Sequence, residues 1–164
     1  MLLSEKKVLV TGGLGFIGSN LVIRCLEEGG AVTILDNLDP NCGGNLKNIE
    51  EVKSDVDLVL GDLTDYATVL RQISSKDLVF NCAASISHSM SMQEPWNNLD
   101  VNTRGVLNIL EALKRVNRDA RFIHLGTTTQ LGRMTTEIAD EDHSEFPLDV
   151  YSANKVASEK YALI

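Results

Sequence analysis

The sequence predicts an α/β fold, a doubly wound parallel sheet of the Rossmann type in three α/β/α layers. Three observations predict it. Short apolar runs of strand length alternate with longer segments whose apolar residues recur at helical spacing. The short runs lack strict polar/apolar alternation, as strands buried on both faces do. No internal repeat, low-complexity tract or linker divides the 164 residues, a length that suits one domain with a well-buried core.

The elements follow in order. "KKVLVTG" (6–12) reads as a first buried strand, and "FIGSNLVIRCLEEG" as the helix after it. "AVTILD" (31–36) and "DLVLGD" (57–62) are the second and third strands, the latter trailed by the helical "YATVLRQI". "DLVFNCAA" (77–84) is the fourth. A long helical stretch covers 95–116, with Val101, Leu107, Leu110 and Leu113 among its apolar positions. "RFIHLG" (121–126) is the fifth strand, and a last helix begins near Asp149. Segments 38–44 and 134–148 read as irregular. In such folds ligands sit beyond the carboxyl ends of the strands, so the loops after Leu35, Leu60, Asn81 and Leu125 are expected to face one site.

Composition narrows the function. The net charge of −8 leaves no basic face to neutralise phosphates, which argues against a nucleic-acid binder. It does not oppose a phosphate-bearing ligand held by backbone amides at a helix start. The apolar runs are too short to span a bilayer, and the opening residues do not read as a secretory leader. Cys25, Cys42 and Cys82 read as free thiols in a reducing compartment, so a cytoplasmic location is expected. His88, His124 and His143 share no ligand spacing with them, and no metal site is expected.

"VTGGLGFIG" places Gly12, Gly15 and Gly18 directly after a strand and at the mouth of a helix. Gly12 permits a tight turn, Gly15 lets amides approach a pyrophosphate, and Gly18 allows close helix–strand packing. A plain strand-to-helix turn would also use glycine. Asp36, closing the next strand, supplies the further context that a dinucleotide fingerprint requires. A carboxylate there accepts hydrogen bonds from ribose hydroxyls and repels a 2′-phosphate, and Asn37 follows it rather than an arginine. NAD is therefore expected over NADP.

With these residues the chain resembles the extended short-chain dehydrogenases/reductases of the nucleotide-sugar epimerase and dehydratase group, UDP-glucose 4-epimerase-like enzymes among them. The resemblance runs over 8–161 but covers only the amino-terminal part of such an enzyme. "TGGLGFIG" matches the glycine loop, whose helix opens with Phe16 and Ile17, and "DNL" (36–38) matches the adenosine-ribose motif. "GDLTD" (61–65) implies that Asp62 and Leu63 neighbour the adenine. "NCAA" implies that Cys82, Ala83 and Ala84 run alongside the cofactor, with Asn81 replacing a frequent His. "VNTRGVLNILEA" (101–112) implies a bracing, cofactor-side role for Asn102. "FIHLGTTTQLG" (122–132) resembles the strand-five segment and puts the catalytic Ser/Thr at Thr127, with Thr128 as fallback. Gly126 and Leu131 depart from the usual Ser and Tyr there. "YSANK" implies Tyr151 as acid/base and Lys155 as its partner, both also touching the cofactor.

Residues four apart share one helix face, so Tyr151 and Lys155 can reach one cleft. A free tyrosine is a poor base near neutrality, and a neighbouring ammonium favours its phenolate. The resemblance implies proton transfer from a sugar hydroxyl to Tyr151 as hydride passes to the nicotinamide, with Thr127 binding the reacting oxygen. In the family's dehydratases an Asp-Glu pair follows the catalytic Thr. Thr128 and Thr129 stand there in this chain, which favours an epimerase acting through a transient 4-keto-sugar on a nucleotide-sugar substrate.

The resemblance further implies that the whole chain, 1–164, is the NAD-binding domain, with a carboxy-terminal substrate domain absent and turnover by this chain negligible. A non-catalytic nucleotide-binding module is the alternative from another class, and a 4,6-dehydratase the second alternative. Homodimerisation through the helices at 95–116 and 149–164 is the expected mode of assembly, weakened in this chain. His88 reads as a solvent-facing or loop-bracing residue, although the resemblance brings its loop near the substrate. His124 reads as a core or inter-element residue, and "ADEDHSE" (139–145) as a solvated loop.

Overall fold

The structure, a computed structural model, describes residues 2–164. Strands β1 (Lys7–Thr11), β2 (Ala31–Asp36), β3 (Val56–Leu60), β4 (Leu78–Asn81) and β5 (Arg121–His124) form one sheet in the order β3-β2-β1-β4-β5. All four pairings are parallel, as the repeated strand–helix pattern predicts. The register sets Thr11 beside Asn81 and Asn81 beside His124, a row of three polar residues near the carboxyl ends.

Side chains alternate across a strand, and here both faces are apolar. Val8, Val10, Val32 and Ile34 pack under α1 (Phe16–Glu27) and under Ile49 of a 3₁₀ segment, Leu46–Asp55. Leu9, Leu35 and Val79 pack on the other face with Val69 and Ile73 of α2 (Tyr66–Ile73) and Ile109, Ala112 and Leu113 of α5 (Gly105–Val116). The strands stop earlier than their apolar runs, at Thr11, Leu60, Asn81 and His124. The residues that follow leave the sheet to form the loops above its carboxyl edge.

Two short helices precede α5: α3 (His88–Gln93) and α4 (Pro95–Leu99). A π-helical turn, Asp100–Arg104, joins α4 to α5, so the stretch 95–116 is helical throughout but widened at its centre. The last helix, α6 (Val150–Leu163), packs on α3, α4 and the π turn. Neither α3 nor the 3₁₀ segment is legible as apolar periodicity. Both begin on side-chain caps, the Ser87 hydroxyl accepting from Met90 N at 3.2 Å and Asn45 Oδ1 from Lys47 N at 2.9 Å. No helix among the described residues is long and apolar enough to cross a membrane.

Candidate active site

The strand order reverses between β1 and β4, where connections leave to opposite sides and open a crevice. A cleft of about 390 Å³ lies there. Gly12, Gly15, Phe16, Ile17 and Gly18, which follow β1, line it, together with Cys82, Ala83 and Ala84 after β4. Asp36, Asn37, Asp62 and Leu63 close the far end. Leu35, Asp39, Cys42, Gly43, Gly44, Gly61, Ile86 and Val101 also line it, beyond those expected from the sequence. Most of these lie in the loops after Leu35, Leu60 and Asn81, which the strand pattern places at one site without naming the residues.

The cradle depends on missing side chains. Gly12 has φ +66°, and a Cβ on it would lie 2.6 Å from Ala83 N. A Cβ on Gly18 would overlap the Gly12 carbonyl oxygen. Gly15 precedes α1 and brings no side-chain cap, so first-turn amides of a 12-residue helix are left for an external acceptor. Helix starts of this kind bind phosphate through those amides and the aligned peptide dipoles. The residues present therefore fit a dinucleotide.

Asp36 is held rigidly: Oδ2 accepts from Leu14 N at 3.0 Å and Oδ1 from Leu38 N at 2.8 Å. Each carboxylate oxygen keeps a further lone pair for a ligand hydroxyl. Asp62 accepts from the backbone and hydroxyl of Thr64, both at 2.8 Å, and from Asn37 Nδ2 at 2.7 Å. Burial would raise its pKa, but these hydrogen bonds outweigh burial and hold it below the ordinary carboxylate value. Burial pushes the Cys82 thiol up to about 12 and Cys42 to about 11, so neither is a thiolate at neutral pH.

Thr127, Tyr151, Lys155 and Asn102 do not line this cleft. Asn102 is turned inward: its Oδ1 accepts from Ser85 N at 3.0 Å and its Nδ2 donates to Ser85 O at 2.9 Å. It therefore supports the loop after β4 by its backbone. Asn98 Oδ1 accepts from both Asn102 Nδ2 and Asn154 Nδ2, at 3.0 and 2.9 Å, joining that loop to α6.

Tyr151 and Lys155 are 8% and 4% exposed, so both are packed groups rather than solvated ones on a surface helix. Lys155 Nζ donates to Leu125 O at 2.5 Å. Burial draws its pKa down to about 8, against the opposing pull of Glu159. Asp149 caps α6, its Oδ1 accepting from Ser152 N at 2.7 Å, and its Oδ2 is 2.6 Å from His88 Nδ1. The His88 ring stands edge-on to Tyr151 with centroids 4.8 Å apart. His88 thus braces the start of the helix that carries Tyr151.

Thr127 opens a 3₁₀ turn, Thr128–Gln130, through a capping box with Gln130. Its hydroxyl is 3.0 Å from Thr129 Oγ1, which accepts from Ser152 Oγ at 3.0 Å, so the turn is tied to the residue after Tyr151. Gln130 Nε2 reaches Glu159 on α6 at 2.6 Å. Thr128 is exposed. The residues expected to react are thus gathered around α6, and those expected to bind around α1. Ser91 Oγ accepts from Tyr151 N at 3.1 Å, and the bracing residues Asn98, Asn154, Ser91 and Ser152 carried no sequence signal beyond being polar in helices.

Residues 9–163 match the family described as GDP-mannose 4,6 dehydratase. The chain belongs to this family. Among curated relatives, the dTDP-glucose 4,6-dehydratase of Xanthomonas campestris is 35% identical over 164 residues, covering 92% of this chain and 46% of that one. The CDP-paratose 2-epimerase of Salmonella typhi is 32% identical over 130 residues, 77% of this chain and 38% of the relative. A solved UDP-N-acetylglucosamine 4-epimerase from Methanobrevibacter ruminantium, complexed with UDP-N-acetylmuramic acid, superposes with TM-score 0.89 at 30% identity over 98% of this chain and 50% of that one. A UDP-glucose 4-epimerase from Brucella ovis in complex with NAD gives 0.85 at 26% identity, over 95% of this chain and 46% of that one. The chain therefore spans about half the length of the relatives it matches. Its family comprises NAD-dependent nucleotide-sugar epimerases and dehydratases.

Proposed function

We propose that this chain is the NAD-holding and acid/base portion of a nucleotide-sugar epimerase that works through a transient keto-sugar. The observation that carries the reading is one scaffold with a glycine-built cleft closed by a tethered Asp36, beside buried Tyr151 and Lys155 on α6. Bound NAD would supply a hydride acceptor and donor. Amides of the α1 first turn would hold its pyrophosphate and Asp36 its adenosine ribose. Lys155, charged below about pH 8, would favour the Tyr151 phenolate, and Tyr151 would take the sugar hydroxyl proton and return it after the sugar turns over. Thr127 would donate to the same sugar oxygen.

The nucleotide sugar would be gripped by the half of the relatives' length that this chain does not match, so the 164 residues alone are expected to bind NAD and turn over no sugar. Helices α4 to α6 expose Trp96, Leu99, Tyr161 and Leu163, which suits the homodimer expected from the family resemblance. Sedimentation of the chain should then show weak, concentration-dependent association.

The matched family and the Xanthomonas relative favour a 4,6-dehydratase as the second reading. Against it stand Thr128 and Thr129, which bring no carboxylate to the turn, while the carboxylate that does reach it, Glu159, is bound by Gln130. Product mass separates the two in the protein translated from the complete reading frame. An epimerase returns a UDP-hexose of unchanged mass, and Tyr151→Phe abolishes that exchange. A product lighter by one water would establish the dehydratase.

A further inference from the structure

One buried polar chain crosses the sheet and ends on the reacting helix, and the proposed chemistry does not yet use it. Thr11, Asn81 and His124 stand in register on β1, β4 and β5. Thr11 Oγ1 donates to Asn81 Oδ1 at 2.6 Å, and Asn81 Nδ2 is 3.0 Å from His124 Nδ1. On the other side of the ring, His124 Nε2 is 3.1 Å from Ser158 Oγ, which donates to the Lys155 carbonyl at 2.9 Å. Lys155 Nζ lies 3.5 Å from the same Nε2.

Both ends of this chain decide where the imidazole proton sits. Thr11 spends its hydroxyl proton on the amide oxygen of Asn81, so the amide nitrogen faces the ring, and Nδ1 must accept. Ser158 spends its proton on the Lys155 carbonyl, so its oxygen must receive one, and Nε2 must donate. The two requirements agree on a neutral Nε2–H ring. Burial, and then the charge of Lys155, depress the His124 pKa to about 4, in keeping with a ring that stays neutral at physiological pH.

The consequence falls on Lys155. An ammonium carries three N–H groups, and one is engaged by Leu125 O. A Nε2–H ring offers the ammonium no lone pair at 3.5 Å, so the other two remain free. The opposite tautomer would present a lone pair there and take one of them into the β5–α6 interface.

We propose that His124 is a positioning residue for Lys155 and that Asn81 selects its tautomer, which leaves two ammonium N–H groups free for the Tyr151 oxygen and a cofactor ribose. The proposal rests on Lys155 being the partner of Tyr151, as in the proposed function. Its test needs neither cofactor nor sugar, so failure of the one is distinguishable from failure of the other.

The test is nitrogen-15 imidazole NMR on the 164-residue chain, together with titration of the Lys155 side-chain amine. The wild-type ring should carry its proton on Nε2, with Lys155 titrating near 8. Asn81→Asp replaces the amide donor by an acceptor. It should move the proton to Nδ1 and raise the Lys155 midpoint by about one pH unit, as a new acceptor contact for the charged form does. The double variant Asn81→Asp/His124→Phe keeps the new charge and removes the ring, and should lose most of that rise. A wild-type proton on Nδ1 would overturn the proposal, and that measurement stands even if a variant fails to fold. A Lys155 rise that persists undiminished in the double variant would overturn it too, because it would belong to the carboxylate alone.

Discussion

The glycine-loop side of the molecule and the α6 side are built by opposite means. Around α1, space and backbone form the site: Gly12 and Gly18 leave room that a Cβ would fill, and unpaired amides wait at a helix start. Around α6, side chains form it. Tyr151 and Lys155 are buried among Asn98, Asn102, Asn154, His124, Ser152 and Thr129, each spending its polar atoms on another side chain or on backbone. Among the described residues no fully buried side-chain nitrogen or oxygen lacks a partner. A site made of missing atoms fails by added bulk, and a site made of hydrogen bonds fails by lost partners.

The largest expected effect is at the glycines. Gly18→Ala drives a methyl group into the Gly12 carbonyl and should cost about 3 kcal/mol, with loss of detectable NAD binding. Urea unfolding and calorimetric NAD titration check it; a variant of wild-type stability that binds NAD normally would show that the cradle does not depend on the missing side chain. Next comes Asn102→Ala, which strands the Ser85 N–H, leaves the Ser85 carbonyl only its bond from Asn98 Nδ2, and removes a donor to Asn98. It should cost about 2 kcal/mol by the desolvation of buried groups left unpaired. Because Asn102 does not line the cleft, NAD affinity should fall only modestly.

A smaller effect lies in the pH dependence. His124 has a depressed folded value of about 4 against an ordinary 6.5, so its stabilisation is complete above pH 6.5 and is lost as pH falls towards 4. The loss of stability between pH 7 and 4.5 should therefore be smaller in His124→Phe than in the wild type, as read from urea midpoints. Lys155 adds a rise in stability as pH climbs from about 8 to 10.5, because the unfolded chain binds the proton more tightly there. Smallest of all is His88→Ala. It removes a half-exposed pair with Asp149, which still caps α6 through Ser152, and should cost under about 1 kcal/mol. An equal loss from His88→Ala and Asn102→Ala would show that burial does not set the weight of the partners around α6.

How much was legible in the sequence follows the same division. Gly12, Gly15, Gly18 and Asp36 were readable because backbone geometry demands particular residues at fixed offsets from a strand end. The sheet was readable because parallel strands must be apolar on both faces. The short helix at 88–93 and the 3₁₀ segment at 46–55 were not, because caps hold them and each buries little. Asn98, Asn154 and Ser158 were invisible for a different reason. Their roles depend on partners distant in sequence, and a polar residue in a helix reads as solvated until the opposing element is in place. That the loops after Leu35 and Asn81 share a site was legible, but not that Asp39, Cys42 and Ile86 are the residues they bring to it, because loop side chains follow no periodicity.

On the proposed function, the cleft between β1 and β4 reads NAD through Asp36. Calorimetric titration of NAD and NADP into the chain and into Asp36→Ala tests it directly. The wild type should bind NAD at least about tenfold more tightly than NADP, and the substitution should weaken NAD by about tenfold or more and narrow the difference, as loss of a charged hydrogen-bond acceptor does. Equal affinity for the two dinucleotides, unchanged in Asp36→Ala, would contradict it.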